Sequence, residues 1–193
     1  MQGRLRSQPI AAGRAGGAGF TLVEVLLVAW VLMIALGSLV AVVTSSQRLA
    51  RANEETSLAY AAARLQAAEL QVLPFQEIFA RYNSDPSDDP GGPGTAAGND
   101  FAVRGLGPAL DDADGFVGEY VFPELPTGVG SAVALREDLD LPELGMPRDL
   151  NGDGAQDALD HAGDYVILPV AIRVRWRGAA GTSVFTLDQI VYP

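Results

Sequence analysis

The stretch from Phe20 to Val43 constrains this chain more than any other. Apart from Thr21, Glu24 and Ser38 it holds only apolar residues and one glycine. At about 1.5 Å rise per residue, a helix over it extends about 36 Å, against a bilayer hydrocarbon core of about 30 Å. The core helix of a soluble domain would be shorter and would keep a polar face, which this stretch lacks. Arg4, Arg6 and Arg14 precede it with no acidic residue among them. That bias predicts a cytoplasmic N-terminus and export of the chain beyond Val43. A cleaved secretory signal fits less well. Its apolar region is about 7–15 residues long and closes on small residues. Ser38, Ala41, Ser45 and Ser46 supply small residues, but the run before them is too long and carries a carboxylate. A charge at mid-span costs about 2.5–3.5 kcal/mol on insertion scales, less near an end, so Glu24 is a functional candidate by default.

Gly19, Phe20 and Glu24 stand in a fixed order: a glycine closing a basic segment, an aromatic residue, and an acid four residues further on. This pattern resembles the processing site and membrane helix of the type IV pilin and type II secretion pseudopilin superfamily. The resemblance implies that residues 1–19 are a leader, removed by a prepilin peptidase that cuts after Gly19 and methylates the new amine of Phe20. Glycine at the scissile carbonyl leaves room around the backbone. The resemblance also implies a role for Glu24 in assembly. Where helices bundle in a filament, each freed amino terminus is a charge in apolar surroundings, and a neighbour's carboxylate neutralises it strongly at low dielectric. The segment from Ala59 to Phe75, and a late Arg173-Val-Arg-Trp176 followed by a glycine turn, are similar to PilV-type minor pilins and related minor pseudopilins. The implied protein is a non-enzymatic minor subunit of a pilus or secretion pseudopilus. It would reside in the inner membrane before assembly, then in a periplasmic or surface filament, with other pilins or pseudopilins as partners. A second class stays open: a single-span envelope protein whose exported domain binds a partner protein or a carbohydrate.

Beyond residues 20–43, residues 44–73 read as an amphipathic continuation of the same helix. Leu58, Ala61, Leu65, Ala68 and Val72 recur at spacings of three and four, a stripe expected to pack on the rest of the domain. Pro74 stops the helix near Leu73. Residues 83–100, rich in Gly, Pro and Asp without a large apolar side chain, read as a flexible loop. Residues 101–193 read as β-rich, with strands expected over Phe116–Phe122, Ala132–Arg136, Tyr165–Trp176 and Ser183–Tyr192. Val170, Ile172, Val174 and Trp176 alternate with Ala171, Arg173, Arg175 and Arg177, and Gly178 to Gly181 provide a turn. The fold class is therefore α+β, a long N-terminal helix laid on a C-terminal antiparallel sheet, which is also the pilin-like arrangement.

A second constellation lies between Asp149 and Asp160. Counted from Asp149, oxygen-bearing residues fall at positions 1, 3, 5, 9 and 12 (Asp149, Asn151, Asp153, Asp157, Asp160), with Gly154 at position 6 and the Ala155 carbonyl at position 7. Hard oxygen donors around a glycine turn suit Ca²⁺, in a structural role ahead of the last two strands. The closing residue is Asp rather than the longer Glu, and Pro147 and Gly163 exclude flanking helices, so the pattern is closer to an isolated extracellular calcium loop than to a paired sensor. Asp111 to Gly115 is a weaker echo and reads as a turn.

The formal net charge is −11, and loss of three leader arginines would take it to −14. That balance disfavours nucleic-acid partners. There is no cysteine, so no disulfide ties the exported loops. His161, the only histidine, reads as solvated or capping, and no nucleophile sits in a catalytic context; no enzymatic activity is expected.

Overall fold

The computed structural model describes residues 19–179 and 181–193. Of the leader expected over residues 1–19, all but Gly19 lies outside them. The chain divides into two units, one ending at Ser46 and the other running from Gln47 to Pro193.

The first unit is helical from Leu22, the start of helix α1 (Leu22–Leu70), rather than from Phe20. Thr21 explains the difference: its Oγ1 accepts from the Glu24 amide at 3.3 Å and its carbonyl accepts from Glu24 and Val25, which makes it the N-cap. From Leu22 to Val43 every side chain is exposed in the isolated chain, and this helix is long and apolar enough to cross a membrane. The hydroxyls of Ser38 and Thr44 donate to carbonyls of their own helix, at 2.8 Å each. The two hydroxyls are thus satisfied within the helix, as a hydrocarbon environment demands, which leaves Glu24 and the Trp30 indole N–H as the side chains here that need an outside partner.

In the second unit the remainder of α1 packs on a four-stranded antiparallel sheet. Its strands are β1 (Asp100–Phe101), β2 (Gly118–Val121), β5 (Leu168–Gly178) and β6 (Gly181–Val191), in that spatial order. A separate hairpin joins β3 (Glu124–Pro126) to β4 (Val133–Leu135). β5 and β6 pair along their whole length, from Leu168 opposite Val191 to Gly178 opposite Gly181. The alternation in β5 holds from Ile172 on: Ile172, Val174 and Trp176 are buried while Arg173, Arg175 and Arg177 face outward, whereas Leu168 to Ala171 are buried on both faces. Two of those arginines are paired rather than free, Arg173 with Glu119 at 2.9 Å and Arg175 with Asp111.

The helix presents a different face to the sheet from the one expected. Ala59, Ala63, Ala67 and Leu70 are the residues of α1 buried against the core. Leu58, Leu65 and Val72 are 36%, 67% and 80% exposed. At about 100° per residue the two sets lie on opposite sides of the helix. Small residues win the sheet side because the sheet supplies the bulk: Tyr120, Val170, Ile172, Val174 and Trp176 fill the layer against the alanines. Polar contacts fix the choice. Tyr120 Oη donates to Gln66 Oε1 at 2.7 Å, and Trp176 Nε1 donates to Glu55 Oε2 at 3.3 Å. Each of the large sheet residues contributes about 1.5–3 kcal/mol by leaving water, so this face is not exchangeable with the other.

The helix ends at Leu70, short of Leu73, because the Gln71 and Val72 amides bond three residues back and tighten the last turn before Pro74. A short helix, α2 (Ile78–Tyr82), comes next and buries Ile78, Phe79 and Tyr82. Residues 83–99 are irregular, and Asn83, Asp85 and Asp89 among them are buried. Asp85 is 5% exposed and its Oδ1 accepts from the Ser87 amide, the Ser87 hydroxyl and the Ser131 hydroxyl. Strand β2 is shorter than Phe116–Phe122, since the Phe116 amide is held by Asp114 Oδ1 in a local turn. Likewise Tyr165 to Ile167 do not join β5. Their amides donate to His161 and Leu150 carbonyls, which ties the acidic loop to the start of the central strand.

Candidate functional site

The loop from Asp149 to Asp164 is wound by its own side chains. Asp149 accepts from the Gly152 amide (Oδ1, 2.6 Å) and the Gly154 amide (Oδ2, 2.8 Å). Asn151 Oδ1 accepts from the Asp153 amide and Asp153 Oδ1 from the Ala155 amide, at 3.0 and 2.8 Å. Gly152 and Gly154 adopt φ of +81° and +88°, a conformation that side-chain-bearing residues rarely take, so the tight coil needs glycine at both places. Within the coil, Asn151 Nδ2 lies 3.4 Å from Asp153 Oδ2 and 3.2 Å from Asp164 Oδ2. Asp149, Asn151 and Asp153 bear the oxygen donors a hard cation takes, and here both Asp149 oxygens, Asn151 Oδ1 and Asp153 Oδ1 accept from the coil's own amides.

Asp160, the expected closing ligand, is used differently. Its Oδ1 accepts from the Leu135 and Ala162 amides at 3.0 and 3.1 Å, pinning the loop to the end of β4. An aspartate is one methylene shorter than the glutamate usual there, and here it reaches backbone instead. Asp157 turns toward the histidine: Oδ1 accepts from the Leu159 amide at 2.7 Å and faces His161 Nε2 at 3.2 Å.

The residue that organises this side is Glu137, which the spacing analysis does not find. It is 1% exposed. Its Oε1 accepts from the Leu150 and Asn151 amides at 2.6 and 3.2 Å, and its Oε2 accepts from the Asp157 amide at 3.3 Å. The sequence does carry one signal for it. Glu137 shares strand parity with Val133 and Leu135, so alternation aims it at the interior.

His161 is buried, 3% exposed, which overturns the expectation of a solvated residue. Nδ1 is 3.1 Å from Asp164 Oδ1, while Nε2 faces Asp157 Oδ1 and, at 3.7 Å, Glu137 Oε2. Its backbone is held as well, the amide donating to the Leu135 carbonyl at 2.9 Å. Burial is the largest influence on its pKa and pushes it down. The hydrogen bonds to Asp157 and Asp164 and the charge of Glu137 outweigh that, and the pKa is raised. Asp157 shifts the other way, lowered by the Leu159 amide and then by His161. Glu137, Asp157 and His161 each bring one donor atom to a common point, all within 4.8 Å of one another.

The N-terminal candidates are placed more simply. Gly19 and Phe20 precede α1, and Phe20 is 76% exposed. Glu24 occupies the first turn, where a carboxylate also opposes the positive end of the helix dipole. The weaker acidic echo is a turn, as expected, and Asp112 and Asp114 in it line a small cavity with Asp100, Glu119 and Arg175.

Comparison with family models, with curated proteins and with solved structures finds no match to this chain.

Proposed function

We propose that this chain is a minor subunit of a type IV pilus or a type II secretion pseudopilus. On this reading it is cut between Gly19 and Phe20, held in the inner membrane by Phe20–Val43, and assembled through α1. The observation that carries the reading is the second apolar stripe. Leu58, Ala61, Leu65 and Ala68 form an exposed row along α1 away from its buried alanine face, and Val72 follows it just past the helix end. A single-span anchor whose domain binds a protein or a sugar needs one apolar helix face, the face on its sheet. A helix that must also pack on other helices needs two. Large apolar side chains left in water at this spacing are the pattern of a helix–helix seam. Glu24 supports the same reading, as the one charge in a stretch that otherwise offers neighbours only apolar surface.

Leu65→Glu tests this directly. The expected result is an exported domain that melts as the wild type does but is absent from sheared filaments. In wild-type filaments, mass spectrometry of this chain should find methylated Phe20 as the first residue. Leu65→Glu chains incorporated at wild-type level, or an N-terminus beyond Val43, would discard the proposal in favour of the anchored binding protein.

Calcium in the Asp149–Asp160 loop belongs to the same reading, as a clamp on an exported domain without disulfides. Asp149, Asn151 and Asp153 would supply its first oxygens. Chelation with EGTA should then lower the melting midpoint of the chain; a midpoint that does not move with Ca²⁺ removes this clamp.

A further inference from the structure

We propose that Glu137, Asp157 and His161 bind a borderline divalent transition metal of the Zn²⁺ class, at a site separate from the oxygen-only coil of Asp149, Asn151 and Asp153. Three observations carry it.

The first is convergence from distant parts of the chain. Glu137 lies just past β4, whereas Asp157 and His161 lie one helical turn's spacing apart in the acidic loop, and both Glu137 and His161 are almost wholly buried. Buried charges are paired or coordinate metals, and at this point an ion would take the place of the proton on His161 Nε2.

The second is donor geometry. A tetrahedral ion with metal–ligand bonds of about 2.0–2.1 Å separates its ligands by about 3.3–3.4 Å. Nε2 of His161 is 3.2 Å from Asp157 Oδ1 and 3.7 Å from Glu137 Oε2. One N–H cannot serve both oxygens, since it points along a single line and 3.7 Å is beyond hydrogen-bond reach. Each of the two oxygens already accepts one backbone amide, and an ion between the three atoms would take a further lone pair from each together with that of Nε2.

The third is the far side of the imidazole. Nδ1 lies against Asp164 Oδ1 at 3.1 Å, the carboxylate–histidine arrangement that fixes the tautomer and ring orientation of a metal-binding histidine. An imidazole donor selects Zn²⁺ and its neighbours over Ca²⁺ and Mg²⁺, which take oxygen. Asp157 is the one residue common to both expected sets. Three protein ligands leave a fourth position for water, and the role assigned to the ion is structural: it joins β4 to the loop that leads into β5.

The test uses the full-length, tag-free chain in detergent, stripped of metal with a chelator. Co²⁺ should give visible ligand-field bands that saturate at one equivalent and that Zn²⁺, but not equimolar Ca²⁺, abolishes. His161→Gln should weaken Zn²⁺ binding by at least about tenfold, and Asp164→Asn by about 10–100-fold, while Asp149→Asn leaves it unchanged. Absence of saturable uptake, or equal affinity in His161→Gln, overturns the site. Should His161→Gln fail to fold, X-ray absorption of the Zn²⁺-loaded wild type decides. His161 is the only histidine, so imidazole scattering can come from nowhere else, and an oxygen-only shell overturns the proposal.

Discussion

Glu24→Ala is expected to remove this chain from filaments while leaving its exported domain as stable as before. Breaking a buried ion pair by deleting one partner costs about 3–5 kcal/mol, or roughly 10²–10³-fold in an association equilibrium. The first-turn dipole contribution of the same carboxylate is smaller, about 0.3–1 kcal/mol, and acts on one helix end alone. Glu24→Gln separates the two effects from side-chain shape, since it keeps the volume and loses the charge. Both variants should remain membrane-bound, because the apolar stretch becomes more hydrophobic in each. The readout is the amount of this chain in sheared filaments, normalised to its amount in the membrane. Wild-type incorporation of Glu24→Ala would sink the charge-neutralisation mechanism even if the chain proved to be a filament subunit.

Glu137→Ala should be the most damaging single change outside the core. It removes the acceptor for three amides, those of Leu150, Asn151 and Asp157, at a site closed to water. Hydrogen bonds to a charged group are worth about 1.5–3 kcal/mol each, and orphaned buried donors add a desolvation penalty. Allowing for partial relaxation of the loop, the expected loss is about 3–5 kcal/mol. At about 2–4 °C per kcal/mol for a chain of this size, the melting midpoint falls by roughly 10 °C. Measured in the presence of chelator, the loss is independent of any ion. A midpoint within the error of wild type would mean that the loop is held elsewhere. Glu137→Gln keeps one acceptor oxygen and should fall between the two.

The parts of this fold legible in the sequence are those set by a single local rule. β5 is legible because Ile172 to Arg177 alternate strictly, and its hairpin with β6 because glycines mark both sides of the turn. The apolar stretch and the Pro74 stop are legible for similar reasons. The packed face of α1 is not. Periodicity finds the stripe of Leu58, Leu65 and Val72, but it weighs side chains by size, and the sheet takes the alanine face instead. Which of two apolar stripes is buried depends on the volume of the opposing layer, and most of that layer lies in β5, far along the chain. The same distance hides Glu137. Spacing rules collect donors within one loop, and a donor arriving from another strand is invisible to them unless its parity is followed inward. His161 misleads for a related reason: a histidine among aspartates looks solvated until the chain is seen to fold over it.

The order of strands in the sheet also bears on timing. β5 lies between β2 and β6 and touches both, yet it begins only at Leu168. Until that segment has been synthesised, β1 and β2 have no long partner and the alanine side of the helix has no floor to rest on. The domain from Gln47 onward therefore cannot mature piecemeal as it is made, because its contacts are non-local and close late. A nascent chain stalled before Leu168 should be open from Gln47 onward and readily degraded by proteases, whether or not its apolar N-terminal helix has already formed.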